Sequence, residues 1–116
     1  VTHVNAHATS TPVGDPNEYV ALKSVFGDRV DEMPVSATKA STGHLLGGTG
    51  ALEAMFTVLA LRDRIAPPTI NITEPDPAVP FRLSGDSVAL GDGDQLAISN
   101  SFGFGGHNAV VAFRSV

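Results

Sequence analysis

The sequence predicts an α/β fold with a mixed β-sheet and both buried and flanking helices, on three observations. Short β-forming runs alternate with helix-period segments in the order β-α-β-α-loop-β-β. The chain has the composition of a protein with a core, 42% hydrophobic and 16% charged over 116 residues, which suits one small domain spanning 1-116. Two β-rich runs near the C-terminal end, residues 94–101 and 107–114, are joined by the glycine-rich link FGFGG, the pattern of a pair of late strands.

Taken in order, residues 1–7 read as a strand with Val1 and Val4 as β-formers. Helix punctuation follows: Asp15 as cap, Pro16 at the first helical position and Glu18 completing a capping box. Tyr19, Leu22, Val25 and Phe26 recur at helical spacing, and Gly27 stops the helix. MPVSATK, residues 33–39, returns as a short strand. STGHLLGGTG, residues 41–50, is a glycine-rich turn into a second helix over 50–64. That helix is apolar on nearly every side, which predicts burial on more than one face. Pro67 and Pro68 end it, and TINITEPDPAVPF, residues 69–81, reads as extended and irregular.

Several function classes are excluded by composition. A net charge of −5 argues against non-specific nucleic acid binding. The longest apolar run, residues 51–61, is interrupted by Glu53 and Thr57 and is too short to insert across a membrane. With no cysteine there is no disulfide framework. No signal peptide is visible, and the expected compartment is the cytoplasm. The chain opens on Val1 and runs at once into a strand, which reads as a fragment of a longer protein.

Four stretches carry candidate chemistry. His7 ends a strand, where ligands bind in α/β sheets, and a neutral imidazole N–H donates to a developing oxyanion. A histidine that merely caps the strand, its ring bonded to backbone, fits the same spacing. Lys39 and His44 share one strand-to-helix connection. A lysine there binds a carboxylate, and a histidine before a helix is kept neutral by the positive helix end. A surface lysine beside a packed histidine fits equally well. Glu53 interrupts an apolar helix; a buried carboxylate needs a partner, and Lys39, a cation or backbone donors would serve. SFGFGGHN, residues 101–108, sets two phenylalanines in a loop of three glycines. Such a loop admits close approach of its amides to a substrate, and it also fits a plain hairpin with a wide turn. GGTG at 47–50 lacks phosphate-loop spacing and GDGD at 91–94 lacks a calcium ligand set. His3 and His107 have no evident partner.

NAHATSTPVGD, SATKASTGHLLGG, ALEA and SNSFGFGGHNA, in that order, resemble the C-terminal part of β-ketoacyl-acyl carrier protein synthases. These are the elongating condensing enzymes of type II fatty acid synthesis, in the thiolase-like superfamily. The resemblance covers nearly the whole chain and implies the C-terminal half of a thiolase-like fold. The nucleophilic cysteine of that family lies in the other half, so the lack of cysteine here is expected.

By resemblance, His7 and His44 donate hydrogen bonds to a malonyl thioester carbonyl and stabilise the enolate left when carbon dioxide departs. The Phe104 backbone N–H forms half of an oxyanion hole, with Phe102 and Phe104 as gates. Lys39 tunes His44 and the site through Glu53, and Thr9 and Thr11 bond a phosphopantetheine arm. A structural cation near Asn5, Glu53, Ser99 and Asn100 is also implied. No resident cofactor is expected, because phosphopantetheine arrives on the acyl carrier protein. The implied partners are acyl carrier protein bearing malonyl and acyl groups, and a second copy of the full-length protein in a homodimer. Ala8 stands where many members have glycine, and His107 where many have threonine. A non-catalytic chain-length or binding subunit of a ketosynthase heterodimer remains the alternative. A metal-dependent hydrolase built on His7, Asp15 and His44 lacks the usual ligand spacing.

Overall fold

The computed structural model describes residues 1–115. Its centre is a four-stranded sheet in the order β2-β1-β5-β6. β1 (His3–Asn5) runs parallel to β2 (Val35–Ser36) and to β5 (Leu96–Gly103), and β6 (His107–Arg114) pairs antiparallel with β5. The sheet is therefore mixed, as expected. β1 and β2 are shorter than the sequence suggests, and His7 lies beyond the end of β1.

Side-chain alternation gives the two faces opposite character. Val4 pairs with Val35 and Ile98, and these point into an apolar core with Ala6, Leu22, Val30 and Met33. The helices α1 (Gly14–Phe26) and α2 (Arg29–Glu32) cover that face. Burial of Leu22 and Val30 stabilises it by about 1.5–3 kcal/mol each. One residue along, Asn5 pairs with Ser36 and Ser99, so a polar row points the other way.

The helix α4 (Thr49–Asp63) lies on that polar face, and here the sequence expectation fails. Burial on more than one face was predicted, but one face is buried, polar from Thr49 to Thr57 and apolar only at Ala60 and Leu61. Thr49, Glu53 and Thr57, spaced four apart, are buried, while Met55 is 57% exposed and Val58 and Leu59 are also open to solvent. The stripe is tolerated because each of its side chains has a partner, with only Glu53 Oε2 left over among the described residues. Thr49 Oγ1 meets His44, Glu53 meets Lys39, and Thr57 Oγ1 donates to the Glu53 carbonyl at 2.8 Å.

The start of α1 also differs. Asp15, Pro16 and Glu18 do not form the expected capping box. Instead Thr11 Oγ1 accepts the Gly14 N–H, the first amide of α1, at 3.0 Å, and Val13 just before the helix makes no side-chain cap bond. Asp15 Oδ1 accepts from Ser10 N at 3.1 Å, and Glu18 turns inward. The short helix α3 (Lys39–Thr42) and the antiparallel pair β3 (Ile65–Ala66) and β4 (Val88–Ala89) carry no periodicity long enough to foresee. Residues 69–81 are irregular, as their prolines require.

Candidate active site at the strand ends

β1 sits inside the sheet, and the chain leaves it into a tight turn. Ala8 has φ 36° and Ser10 φ 62°, both in the left-handed region that disfavours a side chain. The turn throws the His7 ring toward the connection between α3 and α4, where His44 stands. The two rings lie 5.8 Å apart between centroids with planes at 88°. Phe102, on β5, packs against His7 at 5.3 Å. Two imidazoles that are 37 residues apart in sequence thus meet at one point.

The bonds at His44 assign its proton. The Leu46 N–H donates to Nδ1 at 3.3 Å, and the Thr49 hydroxyl lies 2.9 Å from the same nitrogen. A nitrogen that accepts an N–H bond carries a lone pair, so the proton of the neutral ring sits on Nε2 and that N–H is left to donate. Burial lowers the His7 pKa from its ordinary value, with Lys39 and His44 adding to the effect. His7 therefore stays neutral at neutral pH.

Beneath the histidines, Lys39 Nζ bonds Glu53 Oε1 at 2.5 Å, with both side chains buried. Burial raises the Glu53 pKa and the lysine pulls it back. Lys39 is held at the start of α3, whose preceding Thr38 donates to Asn5 Oδ1 at 3.2 Å. The ion pair therefore has fixed ends on α3 and α4.

The expected cation set divides between the two sides of the sheet. Asn5, Ser99 and Glu53 share the α4 side, where Ser99 Oγ and Glu53 Oε2 are buried without a partner among the described residues. Asn100 faces α1, and its Nδ2 donates to Glu18 Oε1 at 2.9 Å. On the α4 side the unpartnered Ser99 Oγ and Glu53 Oε2 are oxygens of the kind a hard cation takes, beside an Asn5 Nδ2 that is also unpartnered among the described residues. Glu18 adds nothing there, because its oxygens are filled by His7 N, Ala8 N and Asn100 Nδ2. Among the described residues no three His, Cys, Asp or Glu side chains are grouped to hold a metal ion, and Asp15 is committed to Ser10.

Thr9, Thr11, Lys39 and His44 border a groove of about 1250 Å³. Its far wall is the irregular segment, including Ile72 and Phe81. Phe104 lies at the tip of the link between β5 and β6 with its side chain fully exposed, while Phe102 is half-buried beside His7. His107 lies in β6 beside that tip.

His3, for which the sequence offered no partner, is buried with Nε2 at 3.0 Å from Ser36 Oγ. Ser36 gives its own proton to the Pro67 carbonyl at 2.7 Å, so His3 is the donor of that pair. The sequence also left out Glu18 as a site residue. Its oxygens accept the His7 and Ala8 backbone N–H groups at 2.9 Å each. The signal was available: Glu18 precedes the buried Leu22 by four residues and shares its helix stripe.

Comparison with known proteins follows the same residues. Residues 1–73, which include both histidines, match the family model described as "Beta-ketoacyl synthase, C-terminal domain". The chain is 48% identical over 114 residues to 3-oxoacyl-[acyl-carrier-protein] synthase 2 of Staphylococcus aureus, covering 98% of this chain and 27% of the relative. The counterpart in Synechocystis sp. is 48% identical over 115 residues, with the same coverage. A β-ketoacyl synthase from Burkholderia phymatum superposes with TM-score 0.88 at 39% identity, over 100% of this chain and 28% of the other. A type II polyketide acyl-carrier protein in complex with its ketosynthase superposes with TM-score 0.93 at 31% identity, again over 100% and 28%. The chain thus spans about a quarter of the length of the relatives it matches. With the paired imidazoles inside the matched segment and the sheet superposing throughout, this chain belongs to the β-ketoacyl synthase family, as its C-terminal domain.

Proposed function

We propose that the full-length protein carrying this chain is an acyltransferase of fatty acid elongation, a β-ketoacyl-acyl carrier protein synthase. It condenses an acyl thioester with malonyl-acyl carrier protein by decarboxylative Claisen chemistry. Residues 1–116 are its C-terminal domain and supply the groups that stabilise the enolate, without activity of their own. One observation carries this: the 5.8 Å meeting of His7 and His44, with an N–H of His44 left free.

The acyl group rests on a cysteine outside this chain. The two imidazoles donate to the malonyl thioester oxygen. The bond from the malonyl methylene to its carboxylate then breaks, carbon dioxide leaves, and the electron pair becomes an enolate whose oxygen faces both donors. The enolate carbon attacks the acyl carbonyl, and the cysteine sulfur departs as thiolate. Preorganised donors of this kind are worth roughly 100- to 1,000-fold in rate each.

The remaining roles follow from placement. Thr9 and Thr11 at the groove suit hydrogen bonds to a phosphopantetheine arm brought by acyl carrier protein, the one cofactor group the reaction needs. The Phe104 N–H contributes to the oxyanion hole, and Phe102 and Phe104 gate the site. Lys39 and Glu53 set its field. A structural cation would be held by Asn5, Ser99 and Glu53 with Asn100 adjoining, and would supply positive charge to the buried polar layer. The protein works in the cytoplasm as a homodimer. Among the described residues no helix is long and apolar enough to cross a membrane.

In the full-length protein, His7→Ala should slow condensation by about 100-fold or more while acyl loading of the cysteine persists. Both half-reactions are followed by mass spectrometry of the carrier protein. Unimpaired condensation would refute the assignment.

A further inference from the structure

We infer that Glu18 is the positioning residue of His7: its carboxylate clamps the strained turn that aims the imidazole. This rests on the function proposed above. The Ala6 N–H is the last amide of this segment to bond a neighbouring strand, at 2.9 Å to the Ser36 carbonyl. The next two amides turn away from the sheet. His7 N donates to Glu18 Oε1 and Ala8 N to Glu18 Oε2, both at 2.9 Å. One carboxylate therefore holds the peptide units on either side of the His7 Cα–C bond. That sets the direction of the side chain without touching the ring.

The clamp works against a local preference. Ala8 has φ 36°, a conformation a residue with a Cβ adopts only when its surroundings impose it. Glu18 is itself fixed. It is 2% exposed on α1, and Asn100 Nδ2 on β5 donates to Oε1 at 2.9 Å. Helix, strand and turn thus converge on one side chain, and the His7 ring is delivered between His44 and Phe102. A clamp built on two main-chain amides constrains position far more tightly than ring packing alone, and a misplacement near 1 Å costs about 100-fold in rate.

The test uses the full-length protein with Glu18→Gln, an isosteric change that sets an NH₂ group against one of the three donors. Condensation kcat should fall roughly 10- to 100-fold, with acyl transfer to the cysteine and KM for malonyl-acyl carrier protein each within about two-fold of the parent. The crystal structure of the variant should show the His7 ring displaced from His44. Glu18→Asp, which keeps both oxygens but is shorter, should recover part of the loss, and it decides the matter by the same ratio of half-reactions if the glutamine variant does not fold. Three results would overturn the clamp: condensation within about two-fold of the parent, equal loss in both half-reactions, or an unmoved His7 ring. If the parent protein itself fails to condense, the proposed function falls instead, and the ring position in the variant alone judges the clamp.

Discussion

At Ala8 a methyl group sits on a backbone of φ 36° and borders the groove next to Thr9. Left-handed backbone costs a residue with a Cβ about 1–2 kcal/mol, whereas glycine in the unfolded chain costs about 0.4–1 kcal/mol of extra entropy. Ala8→Gly should therefore raise stability by up to about 1 kcal/mol, read as a higher urea midpoint; a lower midpoint would mean that the turn is not strained. The same scale shows what was legible in the sequence. His7, Lys39, His44 and Glu53 stood out because each breaks a local pattern: a polar group at a strand end, in a turn, or in an apolar helix. Glu18 did not, because it fits a capping box that the chain does not use. A carboxylate three residues past Asp15 looks solvent-facing until the turn at 7–8 brings its amides onto it.

At the scale of elements, β1 brings a neutral histidine into the middle of the sheet. Burial pushes the His3 pKa down from 6.5 to about 4. The unfolded chain therefore takes up this proton at higher pH than the folded one. The contribution is complete above about pH 6.5, declines as pH falls toward 4, and is gone below that. Its size is on the order of 3 kcal/mol. His3→Gln, which keeps an N–H donor for Ser36, should lose less stability between pH 7 and pH 4.5 than the parent in urea unfolding followed by circular dichroism. An equal loss would place the acid sensitivity elsewhere. Element types were readable from period and punctuation, but their ends were not. The first amide of α1 is held by Thr11 instead, and Gly14 leaves room for that hydroxyl: a Cβ there would lie 2.4 Å from Thr11 Oγ1. Residue-type preferences ranked Asp15 and Pro16 above that contact, which exists only once the turn has closed.

The whole molecule leaves an apolar face of α4 open to water. Met55, Val58 and Leu59 share it, and Val110 and Val111 on β6 are exposed too, one on each side of the sheet. A face of this kind persists when another layer covers it, and the chain is about a quarter of the length of its relatives. The 116-residue chain expressed alone should self-associate at micromolar concentration, and Met55→Glu with Val58→Lys should reduce its mass by sedimentation toward that of a monomer. A parent chain that stays monomeric would show the face to be harmless. The sequence predicted an α/β molecule with a mixed sheet, and that held because alternating periods survive any packing. It could not say which side of α4 faces in. Hydrophobicity points Met55 and Val58 inward, and only the lysine on α3 and the histidine before Thr49 reverse that choice.

The neighbours Ser99 and Asn100 on β5 face opposite sides of the sheet, one toward α4 and the other toward Glu18. Sliding β5 by a single residue would carry Ile98 into the polar layer and Ser99 into the oily one, stranding hydroxyls and carboxylates together. The register of β5 thus fixes the character of both layers at once.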